Sequence, residues 1–218
     1  MDKEQLAGLK ALGFIRQKEE GYFTVRVHIV AGNVTAQEMR ALSDIAEKYG
    51  RGYVGLTTRL NFEIPWIKLE DVEKAKGAFD EAGIKYGGTG MKVRTIVACK
   101  GTICPFGNID TQKMCQMIDE LYYGEGMPSK VKINITGCPN NCAKVKTSDI
   151  GLMGTKEGVR LYLGGKSGNE IVVGEDAGIY PENQVLTLMV KVLSFYRENA
   201  QGKERIADMM KRGVKIKI

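Results

Sequence analysis

The chain has 218 residues, 43% hydrophobic and 27% charged, with a formal charge of +6, enough length for one or two domains with a buried core. That composition excludes extended disorder, and no run of about 18 apolar residues is present to span a bilayer. The positive charge favours an anionic partner, but the basic residues spread from Lys3 to Lys217 and aromatics are only 7%, which argues against nucleic acid. The opening Met1-Asp2-Lys3-Glu4-Gln5 has no apolar signal core, so a cytoplasmic protein is expected. Glycine, 27 of 218 against a usual share of about 7%, predicts tight turns or backbone lying close to a ligand.

In chain order, a helix is expected over Gln5 to Leu12, and Tyr22 to Val30 alternates like a strand. Thr35 reads as an N-cap, with Glu38 completing a capping box for a helix through Tyr49. Strands at Gly52 to Leu56 and Asn61 to Ile67 precede a helix from Leu69 to Ala82. The order βαββα is that of an α+β sandwich with helices on one face of an antiparallel sheet. A Gly-rich stretch, Gly83 to Gly90, links it to the remainder, placing one domain at 1–87 and a second at 88–218.

The second domain opens with the apolar run Val93 to Ala98, then a helix from Asp110 to Tyr123 and a strand from Lys130 to Thr136. Short strands are expected at Asp149 to Met153, Val159 to Leu163 and Glu170 to Val173, and helices at Pro181 to Asn199 and Lys203 to Arg212. Five cysteines without a signal segment argue against a disulfide framework. Cys99 and Cys104 are separated by four residues and Cys138 and Cys142 by three, each pair just after a strand. Two such pairs suit a tetrathiolate site, and spacing leaves open a [4Fe-4S] cluster, zinc or unligated thiols. Pro after Cys104 and after Cys138 favours a cluster, and Gly101, Gly107 and Gly137 are expected to leave room for one. Cys115, beside Met114 in a helix, reads as core packing. The single histidine, His28, leaves no material for a His metal site; it is expected on the strand face of Arg26 as a structural residue.

Gly137-Cys-Pro-Asn-Asn-Cys142 followed by Ile150-Gly-Leu-Met-Gly154 resembles the second cluster motif of the sirohaem-containing sulfite and nitrite reductases. Phe23-Thr-Val-Arg-Val with Gly55-Leu-Thr-Thr-Arg59 looks like that family's ferredoxin-like half-domain, and Val93-Arg-Thr-Ile-Val-Ala-Cys99 also fits its pattern. The resemblance runs from about Gly21 to Met210, and the chain's size matches the small single-repeat assimilatory-type sulfite reductases. It departs from them in two places: the family usually has five residues within its first cysteine pair, and commonly Gln where Leu60 stands.

The resemblance implies a ferredoxin-like half-domain followed by an α/β sirohaem and [4Fe-4S] domain. It implies that Cys99, Cys104, Cys138 and Cys142 ligate the cluster, with Cys142 bridging to the sirohaem iron. Arg59, Arg94, Lys144 and Lys146 match a cationic quartet for the substrate oxyanion, and Arg26 and Lys100 are candidate contacts to sirohaem carboxylates. A substrate that loses oxygens as water needs fixed positive charge and a proton supply. Arg supplies forked donors and Lys a point charge; without the resemblance, Lys144 and Lys146 would read as the wet face of a strand. Lys at both positions leans to sulfite over nitrite. No flavin or nicotinamide fingerprint is present, so electrons are expected from a partner protein. Larger members draw the quartet and the cysteines from opposite repeats, which implies that two copies of this chain pair about a two-fold axis. A cluster-only electron carrier and a zinc-stabilised binding module are the other function classes.

Overall fold

In the computed structural model, which describes all of residues 1–218, Asp2 caps the first helix, α1 (Lys3–Ala11), in a box with Gln5. Strands β1 (Phe14–Arg16) and β2 (Tyr22–Val27) form a hairpin, and a 3-10 turn leads to α2 (Ala36–Tyr49). Thr35 accepts the Glu38 N–H at 3.1 Å while Glu38 accepts the Thr35 N–H at 2.7 Å, the expected capping box. Then follow β3 (Gly55–Leu56), β4 (Phe62–Lys68) and α3 (Val72–Glu81). The sheet order is β1-β2-β4-β3, all antiparallel. The edge strand β1 was not expected from the sequence.

These elements form the first of two compact units, Met1–Gly90 and Met91–Ile218. Its core is made by alternate residues of β2, Phe23, Val25 and Val27, packed with Leu42 and Ile45 of α2 and Val72, Ala75 and Phe79 of α3. Strand β4 breaks strict alternation, burying Ile64 and Ile67. Pro65 and Trp66 (φ 60°) lie between them, where the register against β2 shifts, as a bulge allows. The strand with Arg26 ends at Val27, and His28 is buried just beyond it. His28 therefore does not share the half-exposed face of Arg26.

The second unit comprises β5 (Val97–Ala98), α4 (Thr111–Tyr122), β6 (Ile133–Thr136), β7 (Ile150–Thr155), β8 (Gly158–Leu163), β9 (Glu175–Tyr180), α5 (Val185–Asn199) and α6 (Ile206–Lys211). Its sheet runs β5-β6-β7-β8-β9, parallel from β5 to β7 and antiparallel thereafter. Glu170 to Val173 is not a strand: only the isolated bridge Lys166–Val172 forms there, and the edge strand is β9. Alternation divides the sheet's two faces. Ile133, Ile135, Ile150, Leu152, Leu161 and Leu163 point one way and are all buried. The register sets Val97, Asn134, Thr136, Met153, Arg160 and Tyr162 on the other face. Beneath the sheet, Arg205 donates to Asp149 at 3.0 and 2.6 Å, and the Lys132 N–H donates to the same carboxylate at 2.8 Å. The pair is satisfied inside the protein, as a buried charge requires. No helix is long and apolar enough to cross a membrane.

Candidate functional site

Parallel pairing of β5 with β6 sets the two cysteine loops side by side at the same end of the sheet. Val97 aligns with Asn134 and Ala98 with Ile135, so Cys99 emerges beside Thr136 and Gly137. The Cys99 N–H donates to the Ile135 carbonyl at 3.0 Å. The Gly137 N–H donates to the Cys99 Sγ at 3.2 Å. Thr111, at the start of α4, donates its hydroxyl to the Cys99 carbonyl at 2.7 Å. The Cys104 N–H closes a helical turn onto the Lys100 carbonyl at 2.9 Å; Lys100 itself is exposed.

The glycines beside the cysteines do not leave the open space expected of them. A Cβ built on Gly101 would lie 2.9 Å from the Gly137 Cα and 2.7 Å from the Thr111 Cγ2. One built on Gly107 would strike the Gly101 carbonyl. They serve close backbone contact, pulling the Cys99–Cys104 loop against the Gly137–Cys138 turn.

After Cys138 the chain crosses back over the open sheet face to reach β7. Two left-handed residues shape this crossover, Asn141 (φ 56°) and Lys144 (φ 53°), and asparagine tolerates that conformation better than most. Asn141 Oδ1 accepts the Val145 N–H at 2.7 Å, and the Asn141 carbonyl accepts the Lys144 N–H at 2.9 Å. Asn134, on β6, holds the Ala143 carbonyl with its Nδ2 at 2.7 Å, while its buried Oδ1 has no hydrogen-bond partner. Lys144 and Lys146 are both exposed and flank buried Val145. The alternation in burial is as expected, but it belongs to a 3-10 turn, Val145–Thr147, not to a strand. Ala143 and Val145 pack on Val97, Met153 and Tyr162, with Cys99 against the same cluster.

Arg94 lies five residues before Cys99, and its N–H donates to the Val131 carbonyl at 2.9 Å. Val131 precedes β6, so Arg94 enters its strand at the end remote from the cysteine loops. It adds positive charge near Tyr123, whose hydroxyl is pushed well above its ordinary range by burial, with Asp119 adding to the shift. Arg59 and Arg26 belong to the first unit. Arg59 sits in the β3–β4 turn, its N–H donating to Thr57 Oγ1 at 3.3 Å, and Leu60 after it is left-handed (φ 59°). Arg26 faces Glu63 across β2 and β4, with Nε to Oε2 at 3.1 Å. Cys115 is buried in α4 beneath Ile96, consistent with packing.

Four soft sulfur donors on two abutting loops, with a main-chain N–H aimed at one of them, fit a thiolate-bound iron–sulfur cluster. Cys104 and Cys142 are exposed, and no three His, Cys, Asp or Glu side chains converge at metal-ligand distance. Asn134 is a site residue that no sequence signal marks, and Asn141 stands within the quoted cysteine motif without a role assigned to it. Asn141 is legible as a polar residue inside a cysteine loop; Asn134 acts only through register.

The model of the nitrite and sulphite reductase 4Fe-4S domain matches residues 89–213, and that of the nitrite/sulfite reductase ferredoxin-like half domain matches 15–82. The chain is 29% identical over 203 residues to an assimilatory-type sulfite reductase of Nitratidesulfovibrio vulgaris, covering 92% of each. It is 28% identical over 198 residues to a nitrite reductase [NAD(P)H] of Bacillus subtilis, covering 89% of this chain but only 24% of that protein. The fold is similar to that of the NirA protein of Mycobacterium tuberculosis, with TM-score 0.86 and 21% identity over 97% of this chain and 45% of the other. The two domain matches together span both compact units, and the chain belongs to the nitrite and sulphite reductase family, which binds sirohaem and a [4Fe-4S] cluster.

Proposed function

We propose that this protein is a sulfite reductase, carrying out the six-electron reduction of sulfite to sulfide with electrons from an external donor protein. One observation carries the reading: Lys144 and Lys146 stand exposed on the same crossover as Cys142, two and four residues beyond it. The similarity to an assimilatory-type sulfite reductase over 92% of both chains supports sulfite. Nitrite is the second reading, favoured by the similarity to the Bacillus subtilis nitrite reductase.

Cys99, Cys104, Cys138 and Cys142 would hold the cluster, Cys142 would also meet the sirohaem iron, and Arg26 and Lys100 would meet sirohaem carboxylates. When bound, these cofactors supply single electrons and an iron that takes the substrate's sulfur. Arg59 and Arg94 would hold substrate oxygens through forked N–H donors at the cofactors of a second copy of the chain, since Arg94 lies at the sheet end remote from its own cysteine loops. Lys144 and Lys146 offset the oxyanion charge and deliver protons to oxygens leaving as water. The left-handed Lys144 backbone and the two asparagine contacts fix where these ammonium groups start.

The test is a visible spectrum of anaerobically purified protein, with iron and acid-labile sulfide counted on the same sample, followed by sulfite and nitrite assays. Sirohaem bands, about five irons per chain and faster sulfite turnover are expected. Zinc with no colour would overturn the proposal, and cluster absorption without haem would move it to an electron carrier.

A further inference from the structure

Gly213 closes α6 in a left-handed conformation (φ 92°), its N–H donating to the Met210 carbonyl at 2.9 Å, a helix stop that glycine favours. The residues beyond it, Val214-Lys-Ile-Lys-Ile218, lie outside the stretch matched to the 4Fe-4S domain. They alternate as a strand does: Val214, Ile216 and Ile218 are half-buried, while Lys215 and Lys217 are exposed. Yet they belong to no sheet, and Lys215 to Ile218 make no backbone hydrogen bond. Beside them runs β9, the outermost strand. Its register against β8 sets Glu175 opposite Leu163 and Tyr180 opposite Val159, both on the buried side of the sheet. Asp176 turns to the other side and pairs with Arg160. A cavity of about 460 Å³ lies between strand and segment. Leu163, Ala177, Tyr180 and Met210 give it an apolar wall, Ile216 and Ile218 line it as well, and Glu175 and Lys215 bring opposite charges to it.

We propose that Val214–Ile218 is a strap poised to close on β9, with Ile216 and Ile218 filling the cavity and Lys215 meeting Glu175. The alternation puts an apolar side chain at every second position, the spacing at which an extended segment meets an apolar wall. The charges are complementary: the strap carries only cations, Lys215 and Lys217, and β9 only anions, Glu175 and Asp176. Gly213 is the hinge, because a side chain there would meet nothing within 4 Å and the position is open on all sides. Strand β9 already satisfies two backbone groups with its own side chains. The Gly178 N–H donates to Asp176 Oδ1 at 3.0 Å, and the Tyr180 hydroxyl donates to the Ala177 carbonyl at 2.8 Å. The strap completes that protection by covering an outer strand that otherwise invites pairing with another chain. Its opening exposes the strand and the apolar wall together. The proposal uses none of the cysteines or the candidate substrate cations, so it does not rest on the reductase reading.

Hydrogen–deuterium exchange on the full-length protein reads the strap directly, since amides docked against β9 exchange more slowly than those of a free chain. Protection of Lys215 to Ile218 is expected in the parent. Ile216→Ser should raise exchange in the strap about tenfold while β6 and β7 stay protected. Lys215→Glu and Glu175→Lys, both at exposed positions, should each raise it about two- to fivefold, and the two together should restore the parent rate. Sedimentation of Ile216→Ser should show self-association that grows with concentration, as β9 is uncovered. Exchange at the free-chain rate in the parent overturns the proposal, as do rates unmoved in all three variants. Protection that appears only as protein concentration rises overturns it too, because the segment then docks on a second copy. A released strap with no gain in self-association overturns the guarding role. No readout here involves cofactors or turnover, so failure of the reductase reading leaves the result readable.

Discussion

The Gly137 N–H donates to the Cys99 Sγ at 3.2 Å, joining the end of one strand's loop to the start of its parallel neighbour's. Behind that contact, the Gly101 and Gly137 backbones approach too closely for a side chain at either position. The candidate cluster site is therefore built first by backbone packing and only then by sulfur chemistry.

Gly101→Ala would force a methyl group to within 2.9 Å of the Gly137 Cα and 2.7 Å of the Thr111 Cγ2. Overpacking of this kind costs about 1–3 kcal/mol. Chemical denaturation should show the loss of stability, and acid-labile sulfide per chain should fall with it. Unchanged sulfide content would mean that the loops close without the glycine contact.

Cysteine substitutions should separate ligands from packing. Cys104→Ser and Cys142→Ser should lose the iron–sulfur absorption, because each removes one of four thiolates. Cys115→Ala, buried in α4, should retain the iron content of the parent chain. Iron analysis of the three variants in parallel makes the comparison.

If the proposed function holds, Lys144→Gln and Arg59→Ala should each lower sulfite kcat by about 10²–10³-fold, the size expected for removing one group that stabilises developing charge. The visible spectrum should be unchanged. Steady-state assays with a chemical reductant avoid dependence on the donor protein.

Acid should weaken the second unit. The Thr102 hydroxyl, at 2.6 Å, and the Lys113 N–H, at 3.0 Å, hold Asp110 below its ordinary range. Lys211 and then Lys166 do the same for Glu170. Folded, these carboxylates bind protons less readily than unfolded, so their contribution is complete above the unfolded value of about 4 and disappears as pH falls through the folded one. Urea midpoints should hold from pH 7 to about 5 and drop below about 4.5; Asp110→Asn with Glu170→Gln should flatten the drop.

Two copies are expected to pair in solution if the quartet of one chain serves the cysteine-held cofactors of the other. Sedimentation of the cofactor-loaded protein should show a species of two-chain mass. A single-chain species alone would remove this arrangement.

Local chemistry in the sequence determined much of this protein. The Thr35–Glu38 box, the apolar periodicity of α2 and α4, and the cysteine pairs placed after strands were all readable because each depends on residues a few positions apart. The resemblance carried by Gly137 to Cys142 pointed to the family for the same reason. What tertiary structure decided depended on pairings distant in sequence. Strand β9 has an almost wholly exposed Glu175–Tyr180 sequence and becomes a strand only because β8 offers its edge. Glu170 to Val173 is more apolar and forms no strand, since that edge is already taken. Gly101 reads as a flexible loop residue until Gly137, far along the chain, is seen to lie against it. Arg160, Tyr162 and Asp176 meet on one face only because register, which no short window encodes, brings them there.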